Sequence, residues 1–431
     1  MAVRARPRRG CGRGAASATV AYPPPSTLVL SHIAAGLFNY PLYTTERHTM
    51  KITKLHTGIA LTTSLLLAAL AGCGAANTAS SSSSAAASSS VSAPASSNSA
   101  QKHTSFFVKD NGDGTKVIKD IDGKEVTVPT TPERIADLWH ANNQIVLLLG
   151  GADKLSATTT AVKSLEWFKQ VHPGIDKVDA PVKGTDVNME QLLADKPDVV
   201  LASSKDQISK TSAAGIPSVH VEFQNFADLK RTVELTAEVI GTNDAIDRAN
   251  KYLAYLEKNE NLIKERLKDV KGNPKVLHIS GGSDLTKVDG SKSLIGEWMK
   301  LAGATNSLDG VENLKNVSVE QIIASQPDII VIGGSDAQKG VDAIKADAAW
   351  ADVPAVKNGK IIKNPVGTFN WDRYSAEEAL QILWAAKQFH PEQFKDVDLV
   401  KETREFYSTF YGYNLTDDEA QRIINGQGPA K

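Results

Sequence analysis

Residues 187–200 read VNMEQLLADKPDVV, and residues 317–330 read VSVEQIIASQPDII. Both fit one pattern, V-x-x-E-Q-φ-φ-A-x-x-P-D-φ-φ, in which φ is an aliphatic residue. Each copy predicts a short helix, a Pro-Asp turn and a buried strand. The copies lie too far apart for the short period of a solenoid, so they indicate two lobes built on one plan. A cleft between two such lobes is a common place for a ligand.

The sequence around the two copies alternates short apolar runs with amphipathic helical patterns. An Asp122-Gly123 turn predicts a β-hairpin over residues 116–128. Buried strands are predicted at 134–138, 199–202, 219–221, 275–280, 329–332 and 360–363. Helices are predicted at 142–149, 228–240, 243–270, 294–301 and 375–389, the last opened by a Ser375/Glu378 capping box. This alternation favours an α/β fold of two Rossmann-like lobes with mostly parallel sheets.

The longest helical pattern, residues 243–270, separates the two lobes along the chain. Gly241 stands where a left-handed cap would end the helix before it. At 1.5 Å per residue the long helix would reach roughly 40 Å, enough to run from one lobe to the other. We therefore divide the body into an N-terminal lobe (105–242), a connecting helix (243–272) and a C-terminal lobe (273–431), with the ligand cleft between the lobes.

Residues 50–73 carry the features of an export signal. Lys51 and Lys54 precede an apolar run at 59–70, and Leu-Ala-Gly-Cys follows at 70–73. The apolar run is too short to span a bilayer comfortably. The last four residues look like a bacterial lipobox, which implies removal of 50–72 and lipidation of Cys73.

The segments on either side of this signal are poor in core-forming residues. Residues 1–49 are rich in Arg and Pro, and we interpret them as a mis-called extension, with translation starting at Met50. A disordered tail or a transit-like segment is the alternative. Residues 73–104 begin with a Ser/Ala tract that cannot bury a core, so they predict a flexible tether.

Composition excludes several other classes of protein. Cys11 and Cys73 are the only cysteines, so a body that begins at Cys73 uses neither disulfides nor Cys metal ligands. A formal net charge of −1 leaves no electrostatic footprint for nucleic acid. G-x-S-x-G, Walker and G-x-G-x-x-G motifs are absent, as is H-E-x-x-H, so neither an enzyme nor a dedicated zinc site is supported. His220 and His278 lie within strand patterns and are interpreted as core histidines.

The order of these features resembles a known family, the substrate-binding lipoproteins of bacterial ABC importers. The type is the one with a helical backbone between its lobes (class III), which carries ferric siderophores, haem, vitamin B12, molybdate or nickel chelates. Besides the two copies, the local marks are TPERIADL at 131–138, GTNDAIDRANKYLAYLEK at 241–258 and AVKNGKIIKNP at 355–365. The stretch at 367–392 looks most like members that handle molybdate-type oxyanions or nickel and iron chelates.

The resemblance implies a receptor and not an enzyme. It implies that Glu190 and Glu320, one in each copy, dock onto basic residues of a membrane permease. Opposite charges of this kind speed encounter and fix register. The alternative is that each Glu only favours the first turn of its helix. A monomer without a cofactor, held outside the cytoplasm by its lipid, is expected.

Ligands of open α/β sheets bind beyond the carboxyl ends of the strands. Side chains there that we predict to contact ligand are Trp139, His140, Asn143, Ser280, Gly281, Trp371, Arg373 and Tyr374, and we add the aromatic Trp167. His140 and Tyr374 can also complete the coordination of a chelated metal. Arg373 offers a planar fork to an anion, and its alternative is an internal pair with Asp372 or Glu377. The tryptophans and Tyr374 are otherwise core, and Ser280 and Gly281 are otherwise an ordinary turn.

The sequence ranks the ligands without choosing one. The aromatic residues around the predicted cleft favour a metal chelate of iron or nickel, either an iron siderophore or a nickel chelate. Molybdate or tungstate comes second, and haem or a corrinoid third. A surface adhesin or an extracytoplasmic enzyme on the same scaffold is the remote alternative.

Overall fold

The computed structural model describes residues 101–430. The predicted extension 1–49, the signal 50–72, Cys73 and most of the tether lie outside the described residues. Within 101–430, no helix combines the length and the apolar character that crossing a membrane requires.

A three-stranded antiparallel sheet opens the described chain. Its strands are β1 (Phe107–Asp110), β2 (Thr115–Lys119) and β3 (Glu125–Pro129). The hairpin of β2 and β3 turns at Gly123, whose φ of 84° suits glycine, so the predicted Asp-Gly hairpin is confirmed.

A six-stranded sheet in the order β7-β6-β5-β4-β8-β9 forms the first lobe. Every neighbouring pair is parallel except β6 with β7. The strands are β4 (Ile135–Asp137), β5 (Leu155–Thr159), β6 (Asp179–Lys183), β7 (Asp186–Val187), β8 (Val199–Ala202) and β9 (Ser218–His220). The helices are α1 (His140–Leu148), α2 (Glu166–Val171), α3 (Met189–Ala194), α4 (Lys205–Ala213) and α5 (Phe226–Ile240).

The long helix α6 (Asn243–Leu267) follows, and its 25 residues span roughly 38 Å. Gly241 precedes it with a φ of 75°, which confirms the left-handed cap. On α6, the Tyr252 hydroxyl donates to the Ala376 carbonyl at 2.8 Å and Asn259 Nδ2 to the Ala379 carbonyl at 2.9 Å. The helix therefore packs on α5 at one side and is bonded to the second lobe at the other.

The second lobe has its own six-stranded sheet, in which β10 pairs in parallel with β12 and β14, and β14 with β15. β11 pairs antiparallel with β10 and β13. The strands are β10 (Lys275–Ile279), β11 (Lys287–Asp289), β12 (Thr305–Asn306), β13 (Lys315–Asn316), β14 (Ile329–Ile332) and β15 (Ile361–Lys363). The helices are α7 (Leu294–Leu301), α8 (Val319–Ala324), α9 (Ala337–Ala346), α10 (Pro354–Lys357), α11 (Glu378–Phe389), α12 (Leu399–Phe406) and α13 (Asp417–Ile424). The predicted α/β class with mostly parallel sheets is confirmed.

The two copies of the repeated phrase fold alike. Asn188 caps α3 and Ser318 caps α8, each by accepting a backbone N–H with its side-chain oxygen. Lys196 and Gln326, at the same place in each copy, both adopt a φ of 46°. Each copy then enters a fully buried strand. The repeat therefore reflects one backbone path built twice.

One predicted helix start is wrong. The Ser375/Glu378 capping box does not form, because α11 begins at Glu378 without a side-chain cap. The Ser375 hydroxyl donates instead to Gln144 Oε1 at 3.0 Å and accepts from the Glu377 N–H at 3.0 Å. A contact with the other lobe has replaced the local cap.

Candidate functional site

The carboxyl ends of the parallel strands from both lobes meet around a cavity of about 520 Å³. The first lobe lines it with residues 164–167 at the start of α2, and the second lobe with the loops after β14 and β15 and the segment after α13. The lining residues are Ser164, Leu165, Glu166, Trp167, Gly334, Ser335, Asp336, Val366, Gly367, Asn370, Gly426 and Gly428. A larger cavity of about 620 Å³ is lined by the second lobe alone, so it is not a site between lobes.

Gln144 of α1 joins the two lobes beside this cavity. Its Nε2 donates to Thr368 Oγ1 at 2.7 Å, and its Oε1 accepts from the Ser375 hydroxyl and from the Ala376 N–H at 2.7 Å. All of these residues are buried. Since a buried amide left without partners is costly, these three bonds fix how the loop after β15 sits on the first lobe.

His140 is the first residue of α1, where β4 ends. Its ring stacks on Phe369 of the other lobe, with 5.5 Å between centroids. Desolvation by burial lowers the pKa of His140, so the imidazole is neutral near pH 7. Its ring makes no hydrogen bond to any residue within 101–430, and Phe369 stands between the lining residues Gly367 and Asn370 along the chain. The imidazole therefore stacks on the loop that contributes Gly367 and Asn370 to the cavity, but His140 is not itself one of the lining residues.

Trp139 and Tyr374 meet with Phe223 in one aromatic cluster that crosses the lobe boundary. Ring centroids lie 5.1–6.2 Å apart. The Tyr374 hydroxyl donates to Gln224 Oε1 at 3.0 Å and accepts from Asn313 Nδ2 at 2.9 Å. Burial raises the pKa of Tyr374, which disfavours the phenolate. Tyr374 has a φ of 48°, a strained value for an aromatic residue, so the surrounding contacts hold it in place.

Arg373 lies against carboxylates of its own lobe. Its Nη2 is 2.7 Å from Asp289 Oδ2, and its Nε is 3.7 Å from Asp372 Oδ2. His278 lies between the same two carboxylates, at 2.8 Å and 2.9 Å. Burial alone would lower the pKa of His278, but its hydrogen bonds to Asp289 and Asp372 raise it above the ordinary value. Burial opposes a low pKa at Asp289, yet His278 and Arg373 hold it well below its usual range. The predicted core role of His278 is confirmed.

The turn after β10 already holds a carboxylate. Asp336 Oδ1 accepts from the Gly282 N–H at 2.8 Å, and its Oδ2 accepts from the Ser283 hydroxyl. The Ser280 hydroxyl donates to Asp289 Oδ2 at 2.9 Å, and Gly281 lies beside Asp336. The backbone donors that the sequence offers to an anion are therefore occupied in part by a side chain of the loop after β14.

Three other predicted residues are buried. Asn143 Nδ2 donates to the carbonyls of Asp137 and Trp139, and its Oδ1 accepts from the Thr158 hydroxyl. Trp371 is fully buried with no partner for its indole N–H within the described residues. Trp167 lines the cavity while its Nε1 donates to the Gln427 carbonyl at 2.8 Å. Ligand contact by these residues stays a prediction.

Three residues at or beside the cavity were not predicted from the sequence: Gln144, Glu166 and Asp336. Asp336 follows β14, so the rule that sites lie beyond strand ends applies to it as it does to the turn after β10. Gln144 carries no such signal, because its partners lie more than 220 positions away along the chain. Among the described residues, no group of three or more His, Asp, Glu or Cys is arranged to hold a metal ion by itself.

Glu190 and Glu320 both lie exposed in the first turns of α3 and α8. The backbone N–H of Glu320 lowers the pKa of its carboxyl. For Glu320 this matches the helix-turn explanation. Both side chains are exposed and so can be reached by an outside partner.

A model of the periplasmic binding protein family matches residues 135–365, which is more than half of the chain. The molybdate-binding protein MolA of Haemophilus influenzae is 29% identical over 341 residues, covering 71% of this chain and 94% of its own length. The Fe(3+)-citrate-binding protein YfmC of Bacillus subtilis is 25% identical over 281 residues, covering 65% and 87%. The crystal structure of a periplasmic solute binding protein from Veillonella parvula superposes with a TM-score of 0.65 at 26% identity, covering 72% of this chain and 97% of that one.

Proposed function

The chain belongs to the periplasmic binding protein family, and we propose that it captures a metal chelate of iron or nickel between its lobes. As a substrate-binding protein of an ABC importer it is a receptor outside the cytoplasm and not an enzyme. Delivery to the permease subunits then follows from docking through Glu190 and Glu320, with Cys73 as the lipid anchor.

The interlobe cavity is the observation that carries the choice of ligand. Its volume of about 520 Å³ falls in the range of small-molecule sites. A tetrahedral oxyanion has five heavy atoms and needs roughly 150 Å³ if each takes the volume share of a water molecule in the liquid. The cavity is therefore large for a bare oxyanion and suitable for a chelate. Trp167 is an aromatic residue of the lining, and the imidazole of His140 stacks on Phe369 in the loop that supplies Gly367 and Asn370 to it.

The docking proposal is supported by the equivalence of Glu190 and Glu320. They occupy the same position of the repeated phrase and are both exposed, one on each lobe. Two carboxylates placed in this way report the distance between the lobes to a permease with basic residues. Because exposed charges act mainly on encounter and register, their removal should leave ligand affinity intact.

A molybdate or tungstate receptor is the second candidate, favoured by the 29% identity with MolA over 94% of that protein's length. A haem or corrinoid receptor is the third, because both ligands accept an axial imidazole such as that of His140.

A thermal-shift screen of the full chain in detergent tests the proposal. The panel is ferric citrate, a ferric siderophore, nickel(II) with histidine, molybdate, tungstate, haem and cobalamin. A ligand at 100 times its Kd stabilises the folded state by about 2.7 kcal/mol. We expect the largest shift with one of the chelates.

A substitution inside the cavity assigns the shift to this site. Ser335 is exposed in the lining, so Ser335→Trp fills the cavity without disturbing the core. Ser212→Trp, at an exposed position of α4, is the matched control. The shift should vanish only in Ser335→Trp. A shift that survives Ser335→Trp, or a panel without any shift, contradicts the proposed function.

A further inference from the structure

The ionisable residues that line the interlobe cavity are both acidic. Glu166 and Asp336 are the ionisable side chains among its lining residues, and the described lining includes neither Lys nor Arg. Lys339 attracts Asp336, but it is exposed and lies outside the lining. Two acidic residues in the lining of one cavity focus a negative potential there.

Arg373, the cation expected to meet an anion, does not offset this potential. The guanidinium and the buried His278 share the carboxylates of Asp289 and Asp372. The guanidinium is thus paired within its own lobe, with Asp289 at 2.7 Å. Moving it to a ligand would take it away from a buried carboxylate, which is costly in a low-dielectric interior.

The hydrogen-bond donors in the turn after β10 are also occupied. The Gly282 N–H and the Ser283 hydroxyl are bonded to Asp336. An oxyanion that approached this turn would have to displace a carboxylate, or lie next to it. Like charges brought this close repel each other strongly.

We propose that the interlobe cavity selects ligands of positive charge, such as a cationic metal chelate, and excludes multiply charged anions. This inference rests on the proposed function and narrows its substrate class. Glu166 and Asp336, the acidic residues of the lining, attract such a complex. Molybdate carries two negative charges and no acidic proton at neutral pH. The two acidic residues of the lining therefore repel it.

Calorimetric titration with two octahedral cobalt(III) complexes of opposite charge separates charge from shape. Hexaamminecobalt(III) carries +3 and hexacyanocobaltate(III) carries −3, and both exchange ligands slowly, so neither tests coordination. At low ionic strength the full chain should bind the ammine complex and not the cyanide complex. Glu166→Gln should weaken ammine binding roughly tenfold, an effect that added salt reduces.

Two controls fix the interpretation. Glu257 is exposed on α6 and is not among the lining residues of the cavity, so Glu257→Gln should leave ammine binding unchanged. Ser335→Trp should abolish it. Ammine binding that survives Ser335→Trp, or that falls equally in Glu257→Gln, overturns the inference.

Titration with the anions distinguishes the charge selection from the proposed function. Binding of hexacyanocobaltate or molybdate that Ser335→Trp abolishes would overturn the charge selection, while the interlobe site itself would stand. If no complex of either sign binds, the charge selection fails. If the chelate panel then also gives no shift, the proposed function fails with it.

Discussion

The buried carboxyl of Glu377 should make the free energy of unfolding depend on pH. Its carboxyl is fully buried under the loop after β15, where it accepts from Thr368 Oγ1 at 3.1 Å and from the Phe369 N–H at 3.5 Å. Burial raises the pKa of Glu377 from 4.5 to about 7, against the opposing effect of hydrogen bonds from Tyr407 and Thr368. The folded state therefore holds a proton between these two values that the unfolded state has lost.

The sign of the effect follows from this difference. Below pH 4.5 both states are protonated and Glu377 has no pH-dependent cost; as pH rises through 7 the folded state must ionise a buried carboxyl. Stability conferred by this group therefore falls with rising pH, and the loss is complete above about pH 7. A difference of about 2.5 pKa units corresponds to about 3 kcal/mol in full, of which about 2.5 kcal/mol develops between pH 5 and pH 8.

Urea unfolding of the full chain and of Glu377→Gln measures this quantity. The free energy of unfolding of the variant minus that of the unsubstituted chain should rise by about 2.5 kcal/mol from pH 5 to pH 8. Other buried carboxyls, such as Glu378, cancel in the difference. Glu257→Gln serves as the control and should give a difference near zero at both values. An equal difference for Glu377→Gln at pH 5 and pH 8 would refute the reasoning.

Three further predictions follow from the same contacts. Gln144→Leu removes three buried hydrogen bonds and leaves the buried Ala376 N–H without its acceptor, so the free energy of unfolding in urea should fall by about 3 kcal/mol. Arg373→Ala removes the guanidinium from a buried ion pair with Asp289, and chemical denaturation should show a loss of about 3 kcal/mol; a neutral result would mean that the guanidinium is not paired in solution. Glu190→Gln combined with Glu320→Gln should leave the ligand-induced thermal shift unchanged and lower cellular uptake of that ligand roughly tenfold or more. Unchanged uptake would contradict the docking role.

The parts of the fold that depend on local sequence were predictable. The repeated phrase, the Gly241 cap and the buried strands each follow from periodicity, capping or glycine geometry within one short window. The boundaries moved by a few residues, as for the long helix, which ends at Leu267 instead of 270.

The contacts between residues that are far apart in the sequence were not predictable. Ser375 carried a good local capping signal, but Gln144 from the other lobe took its hydroxyl. Arg373 matched an anion-binding residue in the sequence, and only the folded chain brings Asp289 to within 2.7 Å of it. The charge of the cavity likewise depends on Asp336. Its contact with the turn after β10 could not be predicted, because only folding brings the loops after β10 and β14 together.

The most direct measurement is an anomalous difference map at the absorption edge of the metal. Crystals would be grown with the chelate that gives the largest thermal shift. We expect one strong peak between the lobes, bounded by Trp167 on one side and by Gly334 on the other. A metal found only on exposed side chains, with the interlobe cavity holding solvent, would contradict this expectation.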